Sequence, residues 1–300
     1  MASEDSASAE VIPQPATEEE YQRFVALTDS DEGWEQKVDR PDSGIWTRQE
    51  KGSSVNMLKA RIDYADVEAT TLYDVLHDPY YRRVWDENMV DGFEICRLDA
   101  NNDIGYYSMR WPTPLDNRDY VNTRSWRASP EQYVIFNHSL THPRMPPRAG
   151  FVRAVSFLSG YVIRPLEKGC RLFYVSHNDP KGYIPTFLIN KSIIHLVPKV
   201  GEKIHSACKA YGDWKAQNHP EFKPWLATSC QDDLPDYQSS LSVELMDSKG
   251  KLLVQSTAEQ GMNVPVQSTS VDAVTDEDVV ENGKVTAENG ADDDDGETDI

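Results

Sequence analysis

The sequence has few cysteines and no long apolar run. Its four cysteines, Cys96, Cys170, Cys208 and Cys230, are far apart and form no CxxC pair, which argues against a zinc ribbon, a thioredoxin-type site and a disulfide framework. The N-terminus has neither a basic segment nor an apolar core, so it does not resemble a signal peptide. No stretch approaches the roughly 20 apolar residues that span a bilayer. We therefore expect a cytoplasmic protein whose membrane contact is peripheral and transient.

Sequence motifs of catalysis are missing too. The chain has no GxSxG elbow, no Walker loop and no GxGxxG motif that opens a helix. His138 and His142 form an HxxxH pattern, but their segment has strand and loop character and lacks the inner glutamate of a zinc-protease helix. We therefore expect no enzyme, no cofactor and no bound metal.

Charge is distributed unevenly along the 300 residues. The formal net charge is -20, but residues 226–300 alone carry 18 acidic and 3 basic residues, and residues 1–16 carry 3 acidic and no basic residues. The remaining body, 17–225, is left with a balance of -2 and has no basic stripe, so we expect no nucleic-acid partner. The composition of both ends, 1–16 and 226–300, is typical of disordered segments.

The body alternates apolar and polar residues in short segments that turn residues separate. Thr17 and Glu20 form a capping box that predicts a first helix of about three turns. A helical pair is expected over 67–86. Because Pro, Gly, Asn and Asp cluster between the alternating segments, we predict consecutive antiparallel strands. The predicted strands are 45–49, 55–64, 93–98, 105–111, 120–127, 132–140, 151–163 and 170–177.

A long C-terminal helix follows the strands. Pro185 suits a helix start, and apolar residues then recur every three or four positions from Ile189 to Tyr211, over roughly six turns, with Pro198 inside. Residues 214–225 are expected to form an aromatic strap. The prediction is one α+β domain at 17–225, in which a curved antiparallel sheet wraps around the long helix and leaves room for a ligand.

The segment YDVLHDPYYRRVWD at 73–86 contains the candidate site that we single out. Arg82 and Asp86 stand four residues apart, and on a helix that spacing places both charges on one face. A carboxylate beside aromatic rings can keep an arginine partly buried, where it can bind a phosphate. A solvated surface ion pair is the other interpretation of the same spacing.

Three segments resemble the START lipid-transfer domain family. They are YRRVWDENMV at 81–90, WPTPLDNRDYVNTRSW at 111–126 and PKGYIPTFLINK at 180–191. YDVLHD, GYYS and FKPW are further similar to the phosphatidylcholine-transfer-protein-like branch of that family. The resemblance implies a helix-grip fold whose tunnel holds one lipid beneath the C-terminal helix, and the ligand expected from that branch is phosphatidylcholine or phosphatidylethanolamine.

The resemblance also implies roles for individual residues. Arg82 would bind the lipid phosphate and Asp86 would orient it. The aromatic cage around the choline ammonium would consist of Tyr107, Tyr120 and Phe157. Met109 lies two residues from Tyr107 and shares its strand face. Ser159 stands at a position from which that branch of the family makes a polar contact to the lipid. A sterol or another lipid as ligand, and a lipid-sensing adaptor without a transfer role, are the alternatives.

Two further expectations concern the surface. Lysines flank the apolar stripe of the last helix, as in a helix that rests on a membrane, although a solvated face would carry the same pattern; they are Lys191, Lys199, Lys203 and Lys209. In the acidic tail, Thr269 and Thr275 each precede an aspartate by three residues, a pattern that acidophilic kinases use. We expect a phosphoprotein and a monomer.

Overall fold

The computed structural model describes residues 13–227, and the structural statements below concern these residues. The helices are α1 (Glu18–Asp29), α2 (Ala69–His77), α3 (Pro79–Trp85) and α4 (Thr186–Gln217), followed by a 3-10 turn (Pro224–Leu226). The strands are β1 (Glu35–Arg40), β2 (Ser43–Arg48), β3 (Met57–Tyr64), β4 (Met89–Asp99), β5 (Asn102–Met109), β6 (Asn117–Ala128), β7 (Tyr133–Ser139), β8 (Phe151–Arg153), β9 (Val155–Pro165) and β10 (Cys170–Asp179).

The ten strands form one curved sheet in the order β1-β2-β3-β10-β9-β7-β6-β5-β4, and β8 pairs with β6. All the pairs along that order are antiparallel, and the β6–β8 pair is parallel. Together with the long C-terminal helix, this sheet confirms the predicted helix-grip fold.

Two strands differ from the prediction. The sequence analysis missed β1, because its residues EQKVDR are almost all exposed and show no apolar alternation. The predicted strand 151–163 is divided at Ala154, whose N–H donates to the carbonyl of Asp119. This break leaves β8 beside β6, while β9 runs between β7 and β10.

Helix α1 packs against one face of the sheet, which we call the outer face. The predicted capping box is present, since the Thr17 hydroxyl accepts from the Glu20 N–H and the Glu20 carboxylate accepts from the Thr17 N–H. Tyr21 and Phe24 pack on Phe136, with ring centroids 5.0 and 5.2 Å apart. This core also contains Val134, Val162 and Val175, which occupy the outer face of β7, β9 and β10.

Helices α2 and α4 pack on the opposite, inner face. Ile163 and Leu172 of the sheet join one buried core with Ile204, Cys208 and Tyr211 of α4. Helix and sheet approach closely at Gly201, where an added Cβ would lie 2.6 Å from the side chain of Ile62. α4 has 32 residues and so about nine turns, longer than predicted. The helix extends three residues before Ile189 and six residues past Tyr211, the two ends of the predicted apolar stripe.

The C-terminal end of α4 is bound to the α2–α3 pair by buried carboxylates. Asp78 caps α3 and accepts from the Tyr211 hydroxyl at 3.1 Å and from Lys215 Nζ at 2.8 Å. Asp74 accepts from the indole N–H of Trp225 at 2.7 Å, which fixes the chain after α4. Trp214, which we expected in the strap, belongs to α4 itself.

Candidate functional site

Arg82, Asp86 and Tyr107 meet where α3 approaches the inner face of the sheet. Arg82 Nε donates to Asp86 Oδ2 at 3.2 Å, and the Tyr107 hydroxyl donates to the same oxygen at 2.9 Å. The Arg82 guanidinium lies over the Trp85 ring at 5.3 Å and over the Tyr107 ring at 5.2 Å. Asp86 therefore fixes Nε, and the hydroxyls of Tyr107 and Tyr161 also interact with the guanidinium.

The surroundings of Arg82 keep it charged. Burial by itself lowers the pKa of Arg82, but Tyr107, Tyr161 and Asp86 outweigh this effect and raise that pKa above its usual value. Burial is the main reason that the pKa of Tyr107 is raised. At physiological pH the site thus presents a permanent cation beside neutral phenols.

Further tyrosines of the inner face surround this cation. Tyr120 is the cross-strand neighbour of Tyr107, and burial raises its pKa to about 12. Tyr161 of β9 and Tyr174 of β10 are also cross-strand neighbours, with stacked rings 5.1 Å apart. Tyr161 and Tyr174 were missed by the sequence analysis, although both fall on inner-face positions of strands it predicted. Alternation along β9 and β10 was the signal that could have found them.

The inner face keeps accessible surface although the helices cover it. The side chains of Arg82 and Arg124 are 26% and 38% accessible, and Tyr107, Tyr161 and Tyr174 are only half-buried. A filled interface between a sheet and its helices would bury such side chains almost completely. The structure therefore leaves space beside Arg82 between α3 and the sheet.

The remaining predicted lipid-contact residues lie in different surroundings. Met109 is half-buried on β5, two residues from Tyr107. Ser159 is buried, and its hydroxyl donates to Asn178 Oδ1 at 2.8 Å. Phe157 lies at a bulge between β9 and β10, is 47% exposed and contacts the His177 ring at 4.7 Å. The ring contacts found among residues 13–227 do not join Phe157 to Tyr107 or Tyr120.

A network of four charges lies next to this site. Arg124 donates through Nε and Nη2 to Asp103, at 2.6 and 2.5 Å, and its Nη2 also lies 3.1 Å from Glu94 Oε1. Arg97 donates to Glu94 at 3.0 Å. Burial, together with the neighbouring Asp103, raises the pKa of Glu94 to about 7. The sequence analysis did not predict this network, because its members lie on three different strands.

Arg118 and Asp119 are buried neighbours on β6 that bind different partners. Arg118 donates to the carbonyls of Pro180 and Lys181, both at 3.0 Å, and Asp119 accepts two hydrogen bonds from Arg153, both at 2.9 Å. Because consecutive residues of a strand point to opposite faces, the two side chains reach different partners. Together they connect β6 to β8 and to the turn before α4.

The lysines of α4 differ in their surroundings. Lys199 is exposed. Lys203 pairs with Glu87, and Lys209 pairs with Asp66 at 3.1 Å. The side chain of Lys191 lies outside the described part of the structure, as do the predicted phosphorylation sites Thr269 and Thr275. The N-terminal half of α4 and the turn before it also expose large apolar side chains; they are Tyr183, Phe187, Leu196 and Val200.

The fold and the surroundings of Arg82 together define the class of the domain. Within 13–227, no group of three His, Cys, Asp or Glu side chains is arranged to bind a metal. No helix of this part of the chain is long and apolar enough to cross a bilayer. A curved sheet closed by a long helix over a partly accessible arginine and several tyrosines defines a ligand-binding domain of the helix-grip class.

The comparisons with known proteins identify the family within that class. Residues 15–212 match the START domain. The chain belongs to the START domain family, the family of lipid-transfer domains.

Relatives and solved structures agree with this assignment. The chain is 40% identical over 245 residues to START domain-containing protein 10 of Homo sapiens, which covers 81% of this chain and 84% of that protein. It is 28% identical to the phosphatidylcholine transfer protein of Mus musculus, over 62% of this chain and 87% of that protein. The crystal structure of human STARD10 superposes with a TM-score of 0.69 at 39% identity, over 74% of this chain and 91% of that structure.

Proposed function

We propose that this protein is a cytoplasmic carrier that binds one phosphatidylcholine or phosphatidylethanolamine and transfers it between membranes. The observation that carries the proposal is the Arg82 guanidinium, which Asp86 fixes at 3.2 Å beside a partly accessible space under the helices. A START relative that is named for phosphatidylcholine transfer supports the same ligand class. The carrier would be the domain at 17–225, acting as a monomer and without catalytic activity.

Each residue of the site has a role in this proposal. Arg82 would bind the phosphate through its guanidinium, as a charge-assisted contact. Asp86 would orient Arg82, and the Tyr107 hydroxyl would orient Asp86. Tyr107 and Tyr120, which are cross-strand neighbours, would form aromatic walls for the headgroup ammonium. Phe157, Met109 and Ser159 remain candidates for further lipid contacts.

The direct test of this proposal is the identity of the bound lipid. Native mass spectrometry of the full chain purified from cells should show a one-to-one complex with phosphatidylcholine or phosphatidylethanolamine. Purified protein should then move fluorescent phosphatidylcholine between two vesicle populations. A bound sterol would contradict the proposal and indicate a sterol binder. A lipid-loaded protein that transfers no lipid would indicate a lipid-sensing adaptor.

Transient membrane contact is proposed for the N-terminal half of α4 and the turn before it. Tyr183 and Phe187 are among the most exposed large apolar residues of the described chain, and Leu196 and Val200 follow on the same helix. Aromatic and aliphatic side chains of this kind insert at the membrane interface. Lys199 is available for anionic lipid, whereas Lys203 and Lys209 already pair with carboxylates. Lys191 would add a further positive charge.

The acidic tail is expected to oppose this contact. Deleting residues 228–300 removes a charge of -15 and should increase binding to anionic vesicles several-fold at low ionic strength, because it removes like-charge repulsion. Phosphate on Thr269 or Thr275, added by an acidophilic kinase, would strengthen the repulsion. Vesicle co-sedimentation at low and high salt measures the effect.

A matched control tests whether the tail opposes membrane binding through its negative charge or through its size. A full-length chain whose Asp and Glu residues beyond position 228 are changed to Asn and Gln should bind vesicles like the deletion variant. If neither variant differs from the unmodified chain at low salt, the tail does not regulate docking.

A further inference from the structure

Arg124 has an unused donor group on the inner face of the sheet. Its Nε and Nη2 bind Asp103 and Glu94, but no acceptor among residues 13–227 is bonded to Nη1. The side chain is nevertheless 38% accessible, while its partner Asp103 is fully buried. The guanidinium is thus fixed on one edge by carboxylates and open on the other.

The open edge of Arg124 lies on the face that the helices cover. Trp126, two residues along β6, shares this face and packs in the core that contains α2 and α4. Across the strand pair, Arg124 lies over Gly105, where an added Cβ would be 2.9 Å from its Nε. This close approach places the guanidinium flat on β5 rather than toward solvent.

Arg124 is therefore a near neighbour of the Arg82 site. Tyr107 follows Gly105 by two residues on the same face of β5, a distance of about 7 Å along the strand. The Arg82 guanidinium lies over the Tyr107 ring at 5.2 Å. Repulsion from Arg82 also acts on the pKa of Arg124, so the two cations interact across the same space.

The charge of the network indicates what Arg124 can bind. Two arginines, Arg97 and Arg124, face two carboxylates, Glu94 and Asp103. Because Asp103 already accepts two hydrogen bonds from Arg124 and balances its charge, Nη1 suits a neutral acceptor better than a second anion. In a glycerophospholipid, the neutral acceptors nearest to the phosphate are the ester carbonyls of the two acyl chains, only a few bonds away.

We infer that Arg124 binds an acyl ester carbonyl of the lipid whose phosphate is bound by Arg82, and so selects diacyl over ether-linked phospholipids. This inference rests on the proposed function. The charged network around Arg124 would then contact the ester groups on the glycerol backbone of the lipid, and not its headgroup. Acyl chains alone could not occupy this position without leaving the accessible guanidinium edge unpaired, which is costly away from water.

The first test changes the ligand and leaves the protein intact. Full-length protein is offered equal amounts of a 1,2-diacyl phosphatidylcholine and the 1,2-dialkyl ether analogue with the same chain lengths, and native mass spectrometry measures the bound ratio. One charge-assisted hydrogen bond corresponds to a preference of about tenfold for the diacyl lipid. Equal binding would overturn the inference and leave the proposed function intact. Binding of neither lipid would refute the proposed function itself.

The second test changes the protein. The double variant Asp103→Asn/Arg124→Gln removes one cation and its paired anion together, and should lose the preference while it still binds the dialkyl lipid. The double variant Arg83→Gln/Asp91→Asn, which alters an exposed ion pair, serves as the control and should keep the preference. If the Asp103→Asn/Arg124→Gln protein keeps the tenfold preference for the diacyl lipid, Arg124 is not the residue that binds the ester carbonyl.

Discussion

Arg82→Leu is expected to remove bound phospholipid from the protein. The substitution deletes the only cation proposed to bind the phosphate and leaves Asp86, whose charge then repels it. Truncating one partner of a buried charge pair costs about 2–5 kcal/mol, which corresponds to binding weakened at least roughly 30-fold. The fraction of protein that carries lipid, measured by native mass spectrometry, and the rate of vesicle-to-vesicle transfer both test this result.

The neighbouring residue offers a matched control for this experiment. Arg83 is half exposed, and it pairs with Asp91 and the carbonyl of Gly92 instead of facing the site. Arg83→Leu makes the same chemical change one position away and should leave lipid loading unchanged. A folded Arg82→Leu protein that carries phospholipid normally would exclude the phosphate assignment and would leave Arg82 as a structural ion pair.

Asp78→Ala is expected to lower the free energy of unfolding by about 3–5 kcal/mol. The fully buried Asp78 caps α3 by accepting from the N–H groups of Tyr80 and Tyr81, both at 3.0 Å, and it also binds Tyr211 and Lys215. Without it, the ammonium of Lys215, a residue only 5% accessible, is left buried without its carboxylate. Urea denaturation followed by tryptophan fluorescence measures the loss.

Asp66 provides the comparison for Asp78. It also binds two side chains of α4, at 2.7 Å to His205 and 3.1 Å to Lys209, but its own side chain is 52% exposed. Solvent screening makes the contribution of such surface pairs to stability small. Similar losses for Asp66→Ala and Asp78→Ala would show that burial does not determine how α4 is fixed to the rest of the domain.

These contacts divide α4 into two functionally different halves. Its C-terminal half is bound through Asp78 and Tyr211 to the α2–α3 pair, whereas its N-terminal half exposes Phe187, Leu196 and Val200. If lipid enters by displacement of this helix, its C-terminal half is the half that the buried contacts to Asp78 hold in place. Docking of the N-terminal half on a membrane would offset part of the apolar exposure.

The sequence by itself determined the succession of elements. Capping at Thr17, the alternation in the strands and the apolar stripe from Ile189 to Tyr211 are local patterns, and each depends on residues close together in the chain. They were sufficient for the helix-grip fold. The Arg82–Asp86 pair was also visible, because its partners are four residues apart on α3.

The tertiary structure decided which side chains share the site. Tyr161 and Tyr174 meet through strand pairing across a turn, and Arg124 reaches Asp103 and Glu94 only because β4, β5 and β6 are neighbours. Strand register and the bulge at Phe157 determine which face each of these residues occupies. A one-residue shift moves a side chain to the other face, and local sequence does not encode that register. For this reason the ion pair could be predicted from the sequence, whereas only the folded sheet shows that Tyr161, Tyr174 and the charges around Arg124 lie beside it.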